Sequence, residues 1–302
     1  MASAEHYKIA EEFRSFPYRP DATLKEIRDN FEALAKRRFQ PPTGLTFSPV
    51  VADGVPAEWI VPAGEVGDRI ILYIHGGGFC MGSLDTHRGL TARLALAARA
   101  RALSVDYRLA PEHPFPAAVD DVVTAYRWLL KQGHRGDQIV LAGDSAGGGI
   151  ALSTLVALRD AGVAMAAAAV CMSPVTDLAK EGESMRTRAH LDPMVRPESS
   201  KANADRYIGD RDHKTPLASP LYGRLAGLPP VRIHVGDDEV LLDDSLRYVE
   251  RAVAAGVDAR ADVWMGMPHG FPASIGRLKA AAQALDAIGA FLAERLQAHA
   301  SP

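Results

Sequence analysis

The sequence predicts an α/β fold in which helices flank a mostly parallel central sheet. Short runs of apolar and β-branched residues alternate along the chain with segments of helical periodicity, as in folds built from strand–helix units. Residues 69–75 are apolar at nearly every position, which is typical of a strand buried on both faces. The chain has 302 residues, of which 47% are hydrophobic, enough to bury one large core.

Further strands and helices follow in alternation after the first buried strand. Strands are predicted at 102–107, 138–143, 167–173, 231–236 and 259–264, and helices at 117–131, 148–159, 245–254 and 277–297. An amphipathic helix is predicted earlier, at 22–38, with Asp21 placed to cap it. In sheets of this kind, chemistry takes place at the carboxyl ends of the strands.

Two segments fall outside the alternation. One comprises residues 1–44, and the other is a polar stretch at about 175–216 between two predicted strands. Long insertions are usually functional or disordered. We therefore expect a helical cap formed by these two segments over a catalytic domain of residues 45–302. A surface insertion without a role is the alternative.

Composition excludes several classes of partner. The 34 Lys and Arg residues are balanced by 37 Asp and Glu residues, for a net charge of -3, so neither nucleic acid nor an anionic membrane surface is expected as a partner. Cys80 and Cys171 have no metal-like spacing and are expected to be reduced core residues. The charged N-terminus resembles no signal peptide, and no apolar run is long enough to span a bilayer. These features predict a cytoplasmic protein without membrane insertion.

A candidate nucleophile lies between the strand 138–143 and the following helix. Residues 143–147 read Gly-Asp-Ser-Ala-Gly and match G-x-S-x-G, with Ser145 at the centre. This pattern places a serine on a sharp strand-to-helix turn, where flanking glycines remove Cβ clashes. The alternative is a glycine-rich turn for packing or phosphate binding. A phosphate loop would need a lysine after the last glycines, where Ile150 stands instead.

A second glycine-rich run, His-Gly-Gly-Gly at 75–78, follows the first buried strand. Attack on an ester carbonyl develops negative charge on oxygen, which preorganised backbone N–H groups stabilise. The expected donors are the N–H groups of Gly77, Gly78 and Ala146. Taken alone, the run is equally compatible with a nucleotide-binding or flexible loop. His75 is expected to be structural.

A serine nucleophile needs a base, which in this kind of fold follows the acid in the chain. Of the ten histidines, those after Ser145 are His190, His213, His234, His269 and His299. His234 falls inside a predicted strand, and His299 lies three residues from the C-terminus. His269 follows the last predicted strand in a Met-Pro-His-Gly-Phe loop and is therefore the expected base.

The acid is expected in the loop after the strand 231–236. That loop contains Asp237, Asp238 and Glu239, and the residue types alone make the three nearly equal candidates for the acid. The acid orients the imidazole and stabilises the imidazolium. Asp243 and Asp244 come a turn later and are expected to cap the next helix.

Across nearly its whole length the chain resembles the bacterial hormone-sensitive-lipase-like esterases, which have an α/β-hydrolase fold. The motifs that carry the resemblance are HGGGF at 75–79, DYRLAPEHPFPAAVDD at 106–121, GDSAGG at 143–148, DPM at 192–194, SPL at 219–221, GDDEVLLDD and MPHGF. In the family the acid is usually an Asp followed by Pro-Leu-x-Asp. Aligning Leu241 and Asp243 with that pattern places Glu239 at the acid position, with Val240 where Pro is usual. Asp238 remains the competitor.

The resemblance further implies a cap, hydrolysis of short- to medium-chain acyl esters, and often a homodimer. Candidate residues for an acyl pocket are Phe13, Phe16, Tyr18, Phe79, Met194 and Met267, and ordinary core packing is an equal alternative for each. A small-molecule ester is the expected substrate, and no metal or cofactor is needed. The alternatives are a lactone or amide hydrolase with the same Ser-His-Glu triad, or a non-catalytic small-molecule receptor of the same fold.

Overall fold

A computed structural model describes Glu11 and residues 21–297, and its centre is an eight-stranded sheet. The strands are β1 (Leu45–Ala52), β2 (Val55–Pro62), β3 (Ile70–Ile74), β4 (Arg101–Val105), β5 (Ile139–Asp144), β6 (Ala168–Met172), β7 (Val231–Gly236) and β8 (Ala259–Trp264). Their order across the sheet is β1-β2-β4-β3-β5-β6-β7-β8. The β1–β2 and β2–β4 pairs are antiparallel, and all others are parallel. The predicted α/β fold with a mostly parallel sheet is confirmed.

Helices cover both faces of this sheet. They are α1 (Leu24–Arg38), α2 (Leu84–Ala98), α3 (Ala117–Lys131), α4 (Ser145–Asp160), α5 (Ser184–Thr187), α6 (Pro197–Ile208), α7 (Leu242–Ala254) and α8 (Lys279–Gln297). One apolar layer joins the sheet to α3, α4 and α7, and the other joins it to α2 and α8. Strands β3, β5 and β6 are buried along nearly their whole length, which explains why their sequences are almost continuously apolar.

Strands β1 and β2, which form a hairpin, and helix α2 were not predicted from the sequence. The hairpin lies at the edge of the sheet and is only partly buried, and prolines at 49 and 56 weaken its strand pattern. Helix α2 is buried on most of its circumference, so it lacks the polar face that marks an amphipathic helix. Its N-terminus nevertheless carries a capping box formed by Ser83 and Thr86.

Three capping or boundary predictions were wrong. Thr23, not Asp21, caps α1, and Glu26 completes a capping box with it. Helix α4 begins at Ser145 instead of 148, so the candidate nucleophile is its first residue. Asp243 and Asp244 do not cap α7, because the first accepts a hydrogen bond from the Ser184 backbone N–H and the second from those of Thr176 and Asp177.

The segment 175–216 contains α5 and α6 between β6 and β7. Helix α6 contacts the loop after β3, where the Tyr207 ring stacks on Phe79 with 3.9 Å between ring centroids. Helix α1 approaches the same loop from the N-terminal side, because Arg28 donates from Nε to the Cys80 carbonyl oxygen over 2.6 Å. Among the helices of residues 21–297, none has the length and apolarity that a membrane crossing requires.

Candidate active site

The turn from β5 into α4 holds Ser145 in a left-handed conformation, with φ of +52°. Such a backbone is costly for a residue with a side chain and is a feature of functional sites. Glycines make the turn possible: a Cβ at Gly143 would lie 2.6 Å from the backbone of Gly147, and a Cβ at Gly147 would lie 2.2 Å from the Ile74 carbonyl oxygen. The two glycines of the motif are thus required by backbone-to-backbone contact.

His269 lies between Ser145 and Glu239. Its Nε2 atom is 3.0 Å from Ser145 Oγ, and its Nδ1 atom is 2.9 Å from Glu239 Oε2. Because a carboxylate only accepts, Nδ1 carries the proton, and Nε2 is left to accept the hydrogen bond of the serine hydroxyl. These distances are those required of a nucleophile, a base and an orienting acid.

The carboxylate of Glu239 is fully buried, and the oxygen that does not face His269 is also hydrogen-bonded. Oε1 accepts from Ser173 Oγ over 2.7 Å and from the Gly236 backbone N–H over 2.5 Å. The neighbouring acid, Asp237, instead accepts a hydrogen bond from the Gly266 backbone N–H. Asp238 donates its backbone N–H to the Met267 carbonyl oxygen. Of the three acids in this loop, Glu239 is the one paired with His269.

Electrostatics around His269 favour its charged form. Burial lowers the pKa of the imidazole, but the hydrogen bond and charge of Glu239 raise it by more, with further contributions from Asp192 and Asp144. The pKa therefore lies above the usual value of 6.5. These carboxylates therefore favour an imidazolium at His269 over a neutral imidazole.

Asp192, from the segment 175–216, supports the loop that carries Glu239. Its Oδ2 atom accepts from the Val240 backbone N–H over 3.1 Å, while Oδ1 accepts from those of Met194 and Val195. Burial raises the pKa of its carboxyl to about 6, with His269 lowering it and Glu239 raising it. The DPM motif therefore has a structural role next to the acid.

The glycine run after β3 lies beside Ser145. Gly77 and Gly78 have positive φ values of +122° and +59°, which glycine adopts at no steric cost. Within residues 21–297, their backbone N–H groups donate to no protein acceptor. Ala146 is the second residue of α4, whose first N–H groups have no partner within the helix. These three N–H groups are those expected to stabilise an oxyanion.

His75 is buried, and its Nδ1 atom pairs with the Gly76 carbonyl oxygen over 2.8 Å. Its ring stacks on Tyr107, with 4.2 Å between centroids. Burial, reinforced by the charge of His87, lowers its pKa to about 3, so the ring is neutral. The expectation of a structural role is consistent with these contacts. His234, also expected in the core, is buried and accepts from Trp264 Nε1 over 3.2 Å.

The candidate pocket residues occupy different environments. Phe79 is buried against Tyr207, and Met267 is buried in a small apolar cluster that includes Phe271. Met194 is 39% exposed. Phe13, Phe16 and Tyr18 lie outside the described residues. Assignment of any of them to an acyl pocket stays a prediction. Cys80 and Cys171 are free and buried, as expected.

Sequence reasoning assigned no role in the site to Ser173, Asp192 or Asn203. Ser173 follows the end of β6, and this strand-end position was a signal that could have identified it. Asp192 was noticed only as part of a family motif. Asn203 of α6 is close to the glycine run, since a Cβ at Gly78 would lie 2.5 Å from its Nδ2 atom. No sequence signal connects Asn203 with that loop.

A mostly parallel sheet with a strained serine at the carboxyl end of a central strand is the architecture of an α/β hydrolase. A family model described as alpha/beta hydrolase fold matches residues 71–273. The chain is 45% identical to an acetyl-hydrolase of Streptomyces hygroscopicus over 236 residues, which are 78% of this chain and 79% of that protein. An esterase of the bacterial hormone-sensitive lipase family is 42% identical, with a TM-score of 0.94, over 98% of this chain and 99% of that one.

A third match is the crystal structure of EstE5 soaked with p-nitrophenyl butyrate, at 41% identity and a TM-score of 0.94. It covers 98% of this chain and all of that one. The chain therefore belongs to the alpha/beta hydrolase fold family. Its resemblance to bacterial hormone-sensitive-lipase-like esterases is confirmed, as is the prediction of a carboxylester hydrolase.

Proposed function

We propose that the protein hydrolyses short- to medium-chain acyl esters through Ser145, His269 and Glu239. The observation that carries the proposal is the continuous set of contacts from Ser145 Oγ to His269 Nε2 at 3.0 Å and from His269 Nδ1 to Glu239 Oε2 at 2.9 Å. A serine hydroxyl is a weak nucleophile until a base at this distance takes its proton.

In the first half of the reaction, Ser145 attacks the ester carbonyl as its proton passes to His269. The N–H groups of Gly77, Gly78 and Ala146 stabilise the tetrahedral oxyanion. The intermediate collapses to an acyl-serine, and the alcohol leaves with the proton from His269. In the second half, His269 takes a proton from water, hydroxide adds to the acyl-enzyme, and the acid is released as Ser145 regains its proton.

The proposed cap comprises residues 1–44 and 175–216, on a catalytic domain of residues 45–302. Two contacts support it: Arg28 of α1 binds the Cys80 carbonyl oxygen, and Tyr207 of α6 stacks on Phe79, so both segments reach the loop after β3. Cytoplasmic localisation and a homodimer stay predictions from the sequence.

The test is a series of initial rates on p-nitrophenyl esters from acetate to palmitate. Butyrate is a suitable reference ester, because it was the compound soaked into the related EstE5 crystal. We expect rates to peak at short or medium chains and to vanish in Ser145→Ala. Ser153→Ala removes a buried hydroxyl from the same helix and should retain the parental rates. Absence of turnover on every ester by the folded protein would contradict the proposal and direct attention to lactones, amides and then ligand binding.

A further inference from the structure

A second group of polar side chains lies behind the nucleophile, and so far only the charge of its central residue has been considered, as one of several contributions to the raised pKa of His269. Its centre is Asp144, the residue directly before Ser145. The Asp144 side chain points to the sheet face covered by α2, where Tyr73, His87 and the backbone of Gly76 contact it. The Asp144 side chain is only 15% exposed, and a carboxylate so far removed from water is costly unless it is hydrogen-bonded and its charge is balanced.

The contacts of Asp144 connect two parts of the site. Oδ1 accepts from the Gly76 backbone N–H over 3.1 Å and from Tyr73 Oη over 2.5 Å. Gly76 directly precedes Gly77 and Gly78, whose N–H groups are the proposed oxyanion donors. The Asp144 carboxylate therefore connects the loop that carries the proposed oxyanion donors with the turn that carries Ser145.

The approach of loop and carboxylate is as close as the backbone permits. A Cβ at Gly76 would lie 2.2 Å from Asp144 Oδ2 and 3.0 Å from the Asp144 carbonyl oxygen. Any residue other than glycine would thus push the loop away from the nucleophile turn. Contact with Asp144 therefore explains why position 76 is a glycine, just as backbone contacts explain the glycines at positions 143 and 147.

His87 of α2 holds the second oxygen of the carboxylate. Its Nε2 atom is 3.3 Å from Asp144 Oδ2, and its Nδ1 atom pairs with Thr86 Oγ1 over 2.7 Å. Burial raises the pKa of the Asp144 carboxyl, but the charge and contact of His87 and the hydrogen bond from Tyr73 lower it by more, so that it lies below its usual value. The Asp144 carboxylate therefore stays ionised, and its oxygens can accept the hydrogen bonds of Tyr73 and Gly76.

We infer that Asp144 is a positioning residue for the reaction, which fixes the oxyanion loop relative to Ser145, and that His87 acts through Asp144 by fixing its side chain. The inference rests on the proposed function. Misplacing a catalytic group by about 1 Å costs on the order of 100-fold in rate. A loop released from Asp144 would therefore weaken stabilisation of the transition state and leave substrate binding largely intact.

The experiment compares kcat and KM for p-nitrophenyl butyrate in Asp144→Ala, Asp144→Asn and the parent. The alanine variant loses the acceptor for Gly76, and we expect kcat to fall about 100-fold with KM within about threefold. The asparagine variant keeps a carbonyl oxygen for Gly76 and should recover to within about tenfold of the parent. Asp121→Ala is the matched control, since it removes a buried carboxylate that pairs with Arg108 instead and should leave kcat unchanged.

An alkyl trifluoromethyl ketone supplies a second readout. It adds to the serine as a hemiketal anion, whose oxygen occupies the oxyanion position, so its Ki should rise in Asp144→Ala by the same factor by which kcat/KM falls. If Asp144 had only a structural role, Asp144→Ala would lower the amount of folded protein, but the Ki of the folded fraction would not rise in proportion to the fall in kcat/KM. His87→Ala should reduce kcat about tenfold and add no further loss in the double variant with Asp144→Ala.

Inactivity of the parent enzyme would contradict the proposed function. An active parent whose folded Asp144→Ala variant keeps kcat and Ki within threefold would overturn the present inference alone. If Asp144→Ala does not fold, His87→Ala decides in its place. A parallel loss of kcat and rise of Ki in that variant supports the inference, and unchanged values overturn it.

Discussion

Ser173 donates a hydrogen bond from Oγ to Oε1 of Glu239 over 2.7 Å, on the carboxylate oxygen that does not face His269. Hydrogen bonds to charged groups contribute about 1.5–3 kcal/mol. In Ser173→Ala the carboxylate keeps the Gly236 N–H but loses this second restraint. We expect kcat to fall about tenfold, as measured with p-nitrophenyl butyrate. A rate within twofold of the parent would show that the Gly236 contact is sufficient.

The identity of the acid is tested by Glu239→Gln against Asp238→Asn. A glutamine can present its amide N–H₂ to the imidazole and favour the tautomer with the proton on Nε2, which cannot accept from Ser145. We expect Glu239→Gln to lower kcat by about 10³- to 10⁴-fold. Asp238→Asn should change it by less than about threefold, because Glu239 holds the position facing His269. The reverse ranking would make Asp238 the acid.

The dependence of kcat/KM on pH reports the state of His269. The protonated imidazole cannot accept the serine proton, so activity rises as pH increases through its pKa. Since that pKa lies above 6.5, the midpoint should also lie above 6.5. In Glu239→Gln the largest raising contribution is removed while burial still lowers the pKa, so the midpoint of the residual activity should move to lower pH. A midpoint in the parent below 6.5 would contradict this account.

The tight turn at the nucleophile predicts unequal effects of two neighbouring glycines. In Gly147→Ala the new Cβ would lie 2.2 Å from the Ile74 carbonyl oxygen, a backbone atom that cannot move aside. In Gly148→Ala it would lie 3.0 Å from the Pro174 Cβ. We expect a loss of about 3 kcal/mol in unfolding free energy for the first variant and about 1 kcal/mol for the second, measured by denaturant titration. Equal losses would argue against backbone contact as the reason for Gly147.

The sequence was most informative where one physical cause dominates. Strands buried on both faces are almost continuously apolar, so β3, β5 and β6 were predicted close to their observed ends. Because β5 and β8 were predicted, Ser145 could be placed directly after β5, and His269 could likewise be placed in the loop after β8. The hairpin of β1 and β2 was missed because an edge strand needs no continuous apolar run.

Which of Asp237, Asp238 and Glu239 faces His269 could not be derived from residue types. All three are carboxylates within one loop, and their directions depend on how the chain turns after β7. That turn is set by distant partners: Gly266 binds Asp237, and Ser173 binds Glu239. Only the family alignment selected Glu239 beforehand. Asp144 was overlooked for a similar reason, since its partners on α2 and β3 are far away in the chain.

The close approach of Gly147 to the carbonyl oxygens of Ile74 and His75 places the nucleophile turn against the end of β3, from which the oxyanion loop continues. This approach of two backbones leaves no space for a side chain at position 147, whichever residues surround it. The segment 175–216, in contrast, touches the loop through side chains such as Tyr207 and Asn203. Substitutions of Tyr207 or Asn203 would therefore alter the surroundings of the loop without altering the turn that carries Ser145.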